Sequence, residues 1–247
     1  TSGDARMHMC YAFEFLSGSR PGPQFVQEVF EALEQAAPDG WPCWAFSNHD
    51  VERHASRWDL SDAAKLCFVT LMMCLRGSAC IYQGEELGLG ESDVSFEDLQ
   101  DPYGIEFWPK FKGRDGCRTP MVWETQSEFA GFGDTKPWLP VSPEQARSAV
   151  DRMEDDPTSL LHHYRAAIAL RQAHPALRTG SQAKMTAQGN VLTFTRSHAG
   201  ETLRCAFNLS DDTSAYTASD ILASDGASTD TTLAPWGFVV SRTTEGS

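Results

Sequence analysis

The sequence predicts an α/β fold: a parallel sheet or barrel, with a small antiparallel β domain behind it. Three observations predict it. Across residues 7–88, short apolar runs alternate with helical stretches in the order strand, helix, strand, helix, strand. That is the pattern of a parallel sheet and not of an all-β protein. Two of those runs end abruptly in polar clusters, at Asn48 and at Gln83. Strand exits of this kind share one face, where such folds bind ligands. Beyond Gly180 the apolar period falls to two: Leu203, Cys205, Phe207 and Leu209 recur at alternate positions, as do Trp236, Phe238 and Val240. That is a strand period between turn-rich segments.

Taken in order, residues 7–13 read as a buried strand. A helix is expected over 24–36, with Phe25, Val29, Leu33 and Ala36 as its stripe and Glu28, Glu31 and Glu34 off it. Residues 41–46 form the next strand. A second helix starts at Asp59 or Ser61 and runs to about Arg76, with Gly77 in the C-cap position. Its apolar residues wrap most of the circumference, so it should be mostly buried. Residues 79–82 are the third strand. From 89 to about 141 no regular period appears, which marks a functional loop rather than a connection. The loop holds Tyr103, Phe107, Trp108, Phe111, Trp123, Phe129, Phe132 and Trp138. Taken singly, each ring is expected in a small core that fixes the loop; the alternative is a ring that faces sugar. Ser142-Pro143-Glu144-Gln145 reads as a capping box with proline at the first helical position. Another helix follows Pro157, with Leu161, Tyr164 and Ile168 on one face, and stops near His174-Pro175. The division expected is 1–177 for the α/β part and 178–247 for the β domain.

Composition bounds the function. The 247 residues are 41% hydrophobic and 22% charged, enough for a core plus a satellite domain. The net charge of −14 disfavours nucleic acid and anionic membrane, which need a basic face. A small neutral molecule remains a suitable partner. The longest apolar run, 66–75, is too short to cross a bilayer. Seven cysteines, an odd number without C-x-x-C, point to free thiols and a cytoplasmic protein. The sequon Asn208-Leu209-Ser210 is discounted on that ground. Metal-ligand spacing is absent, and no cofactor is expected.

The stretch Phe46-Ser47-Asn48-His49-Asp50-Val51-Glu52-Arg53 concentrates an amide, an imidazole, a carboxylate and a guanidinium at a strand exit. In barrels, chemistry sits at such ends. The competing reading is a solvated turn in which Asn48 or Asp50 caps the next helix.

Phe46-Ser47-Asn48-His49-Asp50 resembles the fourth conserved region of the alpha-amylase superfamily, glycoside hydrolase family thirteen. Ile81-Tyr82-Gln83-Gly84-Glu85-Glu86-Leu87-Gly88 resembles the segment after that family's eighth barrel strand. Residues 113–123, GRDGCRTPMVW, resemble the loop signature of its alpha-glucosidase and oligo-1,6-glucosidase branch, and residues 7–16 its sixth strand. The resemblance implies the C-terminal part, about strands six to eight, of a (β/α)8 barrel, followed by a small antiparallel β-sandwich. It implies that Asp50 is the transition-state-stabilising carboxylate of a retaining alpha-glucosidase and that His49 donates to sugar hydroxyls. One of Arg114 and Arg118 is expected to recognise the glucose; which one stays open. Asn48 and Arg53 support the site, Arg53 by ion pairing with a carboxylate. Glu85 and Glu86 are expected to be structural.

Retaining hydrolysis needs paired carboxyls about 5–5.5 Å apart. The family's nucleophile and general acid precede the residue that matches Thr1. The expectation is therefore part of a longer enzyme, inactive alone, whose open barrel edge invites homo-oligomerisation. The substrate implied is a small alpha-glucoside or oligosaccharide. The alternatives are a non-catalytic, self-associating sugar-binding fragment, or a sucrose hydrolase or transglucosylase of the same superfamily.

Overall fold

The computed structural model describes residues 7–16, 18–226 and 231–243. Three short strands and their helices come first: β1 (Cys10–Ala12), α1 (Pro23–Ala36), β2 (Pro42–Ala45), α2 (His54–Arg57), α3 (Asp62–Cys74) and β3 (Ser78–Cys80). The strands pair in the order β1-β2-β3, both pairings parallel, with Tyr11 opposite Cys43 and Trp44 opposite Ala79. All four residues of β2 are buried. Neighbours cover both faces of a central parallel strand, so its sequence is apolar without alternation.

β1 is shorter and less buried than its sequence suggests: Met7, Met9 and Phe13 are exposed. Among the described residues β1 pairs with β2 alone, so its other edge is uncovered, and Phe13 meets the Tyr11 ring edge-on at 5.1 Å. α1 begins at Pro23, one residue before the expected start, and its fully buried residues are not those of the expected stripe. Val26 and Phe30 are buried while Phe25 is exposed. The predicted stripe of Phe25, Val29, Leu33 and Ala36 instead lines an open groove of about 460 Å³ with Tyr11 and Trp44.

α3 follows the expectation of a helix buried all round. Ala64 and every residue from Cys67 to Cys74 are buried. Ser61 Oγ accepts from Ala64 N at 3.2 Å, an N-cap that satisfies one orphan donor. Its C-terminus corrects the sequence reading. The cap residue is Leu75 in extended conformation, not Gly77. Gly77 has φ +136°, and a Cβ there would fall 2.7 Å from Pro42 O, so glycine is needed for close approach to β2. The helix's terminal carbonyls are met by side chains remote in sequence. Arg171 donates to Met73 O, Leu75 O and Gly77 O, and Arg196 to Cys74 O.

The region 89–141 is mostly irregular, with α4 (Pro102–Phe107) and several 3-10 turns. Its fixing cores are aliphatic. Val94, Leu99 and Leu139 form one, with Trp108 against it; Leu87, Leu89, Val122, Ala130, Ala149 and Leu161 form another. Tyr103, Phe107, Phe111, Trp123, Phe132 and Trp138 are exposed, which corrects the expectation that the rings form the loop's core. Aliphatic side chains make these cores, with Trp108 the ring partly buried against one of them.

α5 (Pro143–Ala146), α6 (Val150–Asp155), α7 (Leu160–Ala173) and α8 (Pro175–Arg178) follow. α7 buries Leu161 and Tyr164 and ends at His174. Then come β4 (Ser181–Gln188), β5 (Val191–His198), β6 (Glu201–Asn208), β7 (Ser214–Ala215), β8 (Ile221–Asp225), β9 (Thr232–Leu233) and β10 (Phe238–Arg242). Five of them form an antiparallel sheet, β4-β5-β6-β10-β8, and β7 pairs with β9. The alternation read from the sequence sorts its two faces. Leu203, Cys205, Phe207, Phe238 and Val240 join the main core with α3, while Val191, Ala206 and Val239 pack with Leu233 on the other side. A chain of rings runs through the main core: Phe15, Phe46, Trp58, Phe68 and Trp236, with successive centroids 5.1–5.9 Å apart. The sheet is thereby joined to the strands that carry the site.

Candidate active site

The exit of β2 is held before it presents anything. Ser47 Oγ accepts from His54 N at 2.8 Å and meets His54 Nδ1 at 2.9 Å. Arg57 Nη2 donates to Phe46 O at 2.6 Å and to Phe15 O at 2.9 Å. Both ends of segment 48–53 are thus pinned to the core, and its middle projects outward. Asn48 Oδ1 accepts from Asp50 N at 2.8 Å, an Asx turn rather than a helix cap. The N-cap of α2 is Arg53, which makes no side-chain cap bond. The capping alternative therefore does not hold.

Asp50 stands at the crest of this turn with its side chain 49% exposed. Its Oδ1 accepts from Arg114 Nη1 at 3.0 Å and from Arg118 Nη2 at 3.1 Å. His49 Nε2 lies 3.5 Å from its Oδ2. Arg118 Nε also donates to His49 O at 2.7 Å. Asp50, His49, Arg114 and Arg118, 64 residues or more apart between the two stretches, therefore meet at one place. Both arginines bind Asp50, so the geometry gives each a part.

Arg114 is itself anchored by a residue that the sequence reading missed. Asp101 receives its Nε at 2.8 Å, its Nη2 at 3.0 Å and its backbone N at 2.9 Å. The fork geometry is that of a bidentate pair. These bonds hold the buried Asp101 carboxyl far below the usual range and raise Arg114 above its own. Asp101 is positioned in turn by Asp115, whose Oδ2 accepts from Gln100 N at 2.6 Å and Asp101 N at 2.8 Å. The signal available in sequence was an arginine-rich signature with an acid thirteen residues upstream; no period marked it.

Arg53 does not pair with a carboxylate, contrary to expectation. It is fully buried, and its Nη1 donates to Gly90 O at 3.3 Å and Gly116 O at 3.2 Å. It lies against the Tyr82 ring, and burial lowers its pKa. Its role is to tie three loops together through carbonyls. Glu85 is buried without a hydrogen-bond partner, 3.5 Å from His54 Nδ1. Asp101, Asp115 and Glu85 are all buried. Of these carboxylates and Asp50, Asp50 alone is open to a ligand. Among the described residues no group of three or more His, Cys, Asp or Glu side chains could hold a metal ion. Among the described residues no helix is long and apolar enough to cross a membrane.

This arrangement can place a fixed negative charge, flanked by an imidazole and guanidinium donors, against a polar ligand that develops positive charge.

Residues 20–180 match the family described as the catalytic domain of alpha amylase. The chain is 55% identical over 217 residues to a probable alpha-glucosidase of Rhizobium meliloti, covering 86% of this chain and 39% of that protein. It is 30% identical to the oligo-1,6-glucosidase of Heyndrickxia coagulans, covering 87% and 45%. Among solved structures it matches the alpha-glucosyl transfer enzyme XgtA with TM-score 0.87 and 43% identity, covering 98% of this chain and 47% of that one. The chain thus spans less than half the length of these relatives. It belongs to the alpha-amylase catalytic-domain family of glycoside hydrolases, with alpha-glucosidases and oligo-1,6-glucosidases as its relatives.

Proposed function

We propose that this chain is the C-terminal part of a retaining alpha-glucosidase that removes terminal alpha-linked glucose from small saccharides. The observation that carries the reading is Asp50, half-exposed at a strand exit with one oxygen bound by Arg114 and Arg118. Glycoside cleavage passes through an oxocarbenium-like transition state. A preorganised carboxylate beside the anomeric carbon stabilises that charge without transferring a proton. The guanidiniums fix Asp50 in place, and His49 is free to donate to sugar hydroxyls. In this reading β1, β2 and β3 are strands six to eight of the barrel. Residues 89–141 are the loop over its mouth, and 178–247 form the β-sandwich. The nucleophile and the general acid come from the remaining strands, outside this chain. No nucleic acid, membrane or cofactor enters the reaction, and seven free thiols suit a cytoplasmic setting.

The test is release of chromophore from a nitrophenyl alpha-glucoside. The protein that includes the remaining strands should turn over and release glucose first as the alpha anomer. This chain alone should give no turnover above background. Turnover by the chain alone, abolished by substituting Asp50, would contradict the division of residues.

Transglucosylation by the same site is the nearest variant, supported by the similarity to an alpha-glucosyl transfer enzyme; sucrose as donor is another. Product analysis separates them. A second reading, a self-associating and non-catalytic sugar-binding piece, is favoured by the open apolar groove between β1 and α1.

A further inference from the structure

We propose that Gln145 is the positioning residue for Arg118, a role that rests on the reading of Asp50 and Arg118 as a sugar site. Gln145 lies on α5, in the segment whose sequence reads as a capping box. It does not cap. Ser142 Oγ accepts from Glu144 N at 3.2 Å, but the Gln145 amide turns inward and is 5% exposed. Its Oε1 accepts from Thr119 Oγ1 at 2.8 Å, and its Nε2 donates to Gly90 O at 3.0 Å. The orientation is forced, because a carbonyl oxygen can only accept.

Thr119 directly follows Arg118 and is buried. Gln83 Nε2 reaches its carbonyl at 3.4 Å and Gln145 its hydroxyl, so the backbone behind Arg118 is held from two sides. Gly90 O is the shared node, accepting from Gln145 and from Arg53, and Arg53 reaches on to Gly116 O. The Gln145 amide thus joins α5, the exit after β3 and the arginine loop. Arg118 extends from that support to His49 O and Asp50. Removing the amide leaves a buried hydroxyl unpaired, a cost that favours any shift of the loop that pairs it again. The loop then moves to rescue it, and Arg118 is carried away from Asp50. Such a displacement costs ground-state and transition-state contacts alike.

The experiment follows the Arg118 Nε–H signal in proton–nitrogen spectra of the labelled chain, assigned by its loss in Arg118→Lys. Thr119→Val and Gln145→Met should each speed its solvent exchange about tenfold, the scale of one lost hydrogen bond. Thr119→Ser, which keeps the hydroxyl, should restore protection. The Arg114 Nε–H, held by Asp101, should remain protected in all variants. An unchanged Arg118 signal in both variants overturns the proposal. So does parallel loss at Arg114 and Arg118, which would mark general loosening, including a failure to fold. In the active protein the same variants should raise KM for the glucoside about tenfold, with Thr119→Ser near wild type. If the wild-type protein shows no glucosidase activity, the functional reading falls while the exchange data still decide the role of Gln145.

Discussion

Glu91 and Arg53 show what the site region does with buried charge. Glu91 Oε2 and two nitrogens of Arg53 lack hydrogen-bond partners. Burial pushes the Glu91 carboxyl up to about 7, despite bonding and attraction from Arg53, with Glu52 adding to the rise. Its folded-state value lies above its ordinary 4.5. The linked stability is therefore complete at low pH and is lost as pH rises toward about 7. Thermal melts between about pH 4.5 and about pH 7.5 should show a smaller loss in Glu91→Gln than in wild type. Identical pH profiles would contradict this. Gly116 sits against the same carboxylate: a Cβ there would fall 2.2 Å from Glu91 Oε1 and 2.5 Å from Ser92 O. Gly116→Ala should cost about 1–3 kcal/mol by overpacking, read by denaturant unfolding. A cost below about 0.5 kcal/mol, the size of an ordinary surface change, would mean the loop yields freely.

At the scale of elements, the sequence was most informative where packing is local. α3 was legible because an apolar circumference allows only burial. Its N-cap was legible in Ser61, and Ser61→Ala should cost about 1 kcal/mol in a melt; an unchanged melt would deny the cap. Its C-terminus was not legible, since Arg171 and Arg196 lie about 100 residues away. The α1 stripe was legible as an apolar face, yet Val26 and Phe30 are the fully buried residues while Val29 and Leu33 pack only partly against the core, because periodicity finds a face but not what covers it. The site divided in the same way. Asn48, His49, Asp50, Arg114 and Arg118 stood out by residue type at a strand exit and in a loop signature. Asp101 and Gln145 did not, because their partners are fixed by the path of an aperiodic loop. Arg53 was noticed, yet its carbonyl partners carry no side-chain signature at all.

Across the whole molecule, one core runs from α1 through α3 to the five-stranded sheet, so the site and the sheet share their stability. The exception is the groove lined by Tyr11, Val29, Leu33 and Trp44. An apolar surface of that kind invites association. The chain should sediment above monomer mass at high concentration, and Val29→Glu should return it to monomer. A monomeric wild type would dismiss the self-associating alternative. The net charge of −14 opposes association through long-range repulsion, so raising salt should strengthen the dimer. The measurement that bears most directly on Asp50 is the turnover of an alpha-glucoside by Asp50→Asn in the protein carrying the remaining strands. If Asp50 stabilises the developing cation, kcat should fall on the order of a hundred- to a thousandfold with the melting temperature nearly unchanged. Turnover near wild type would place the stabilising charge on another residue.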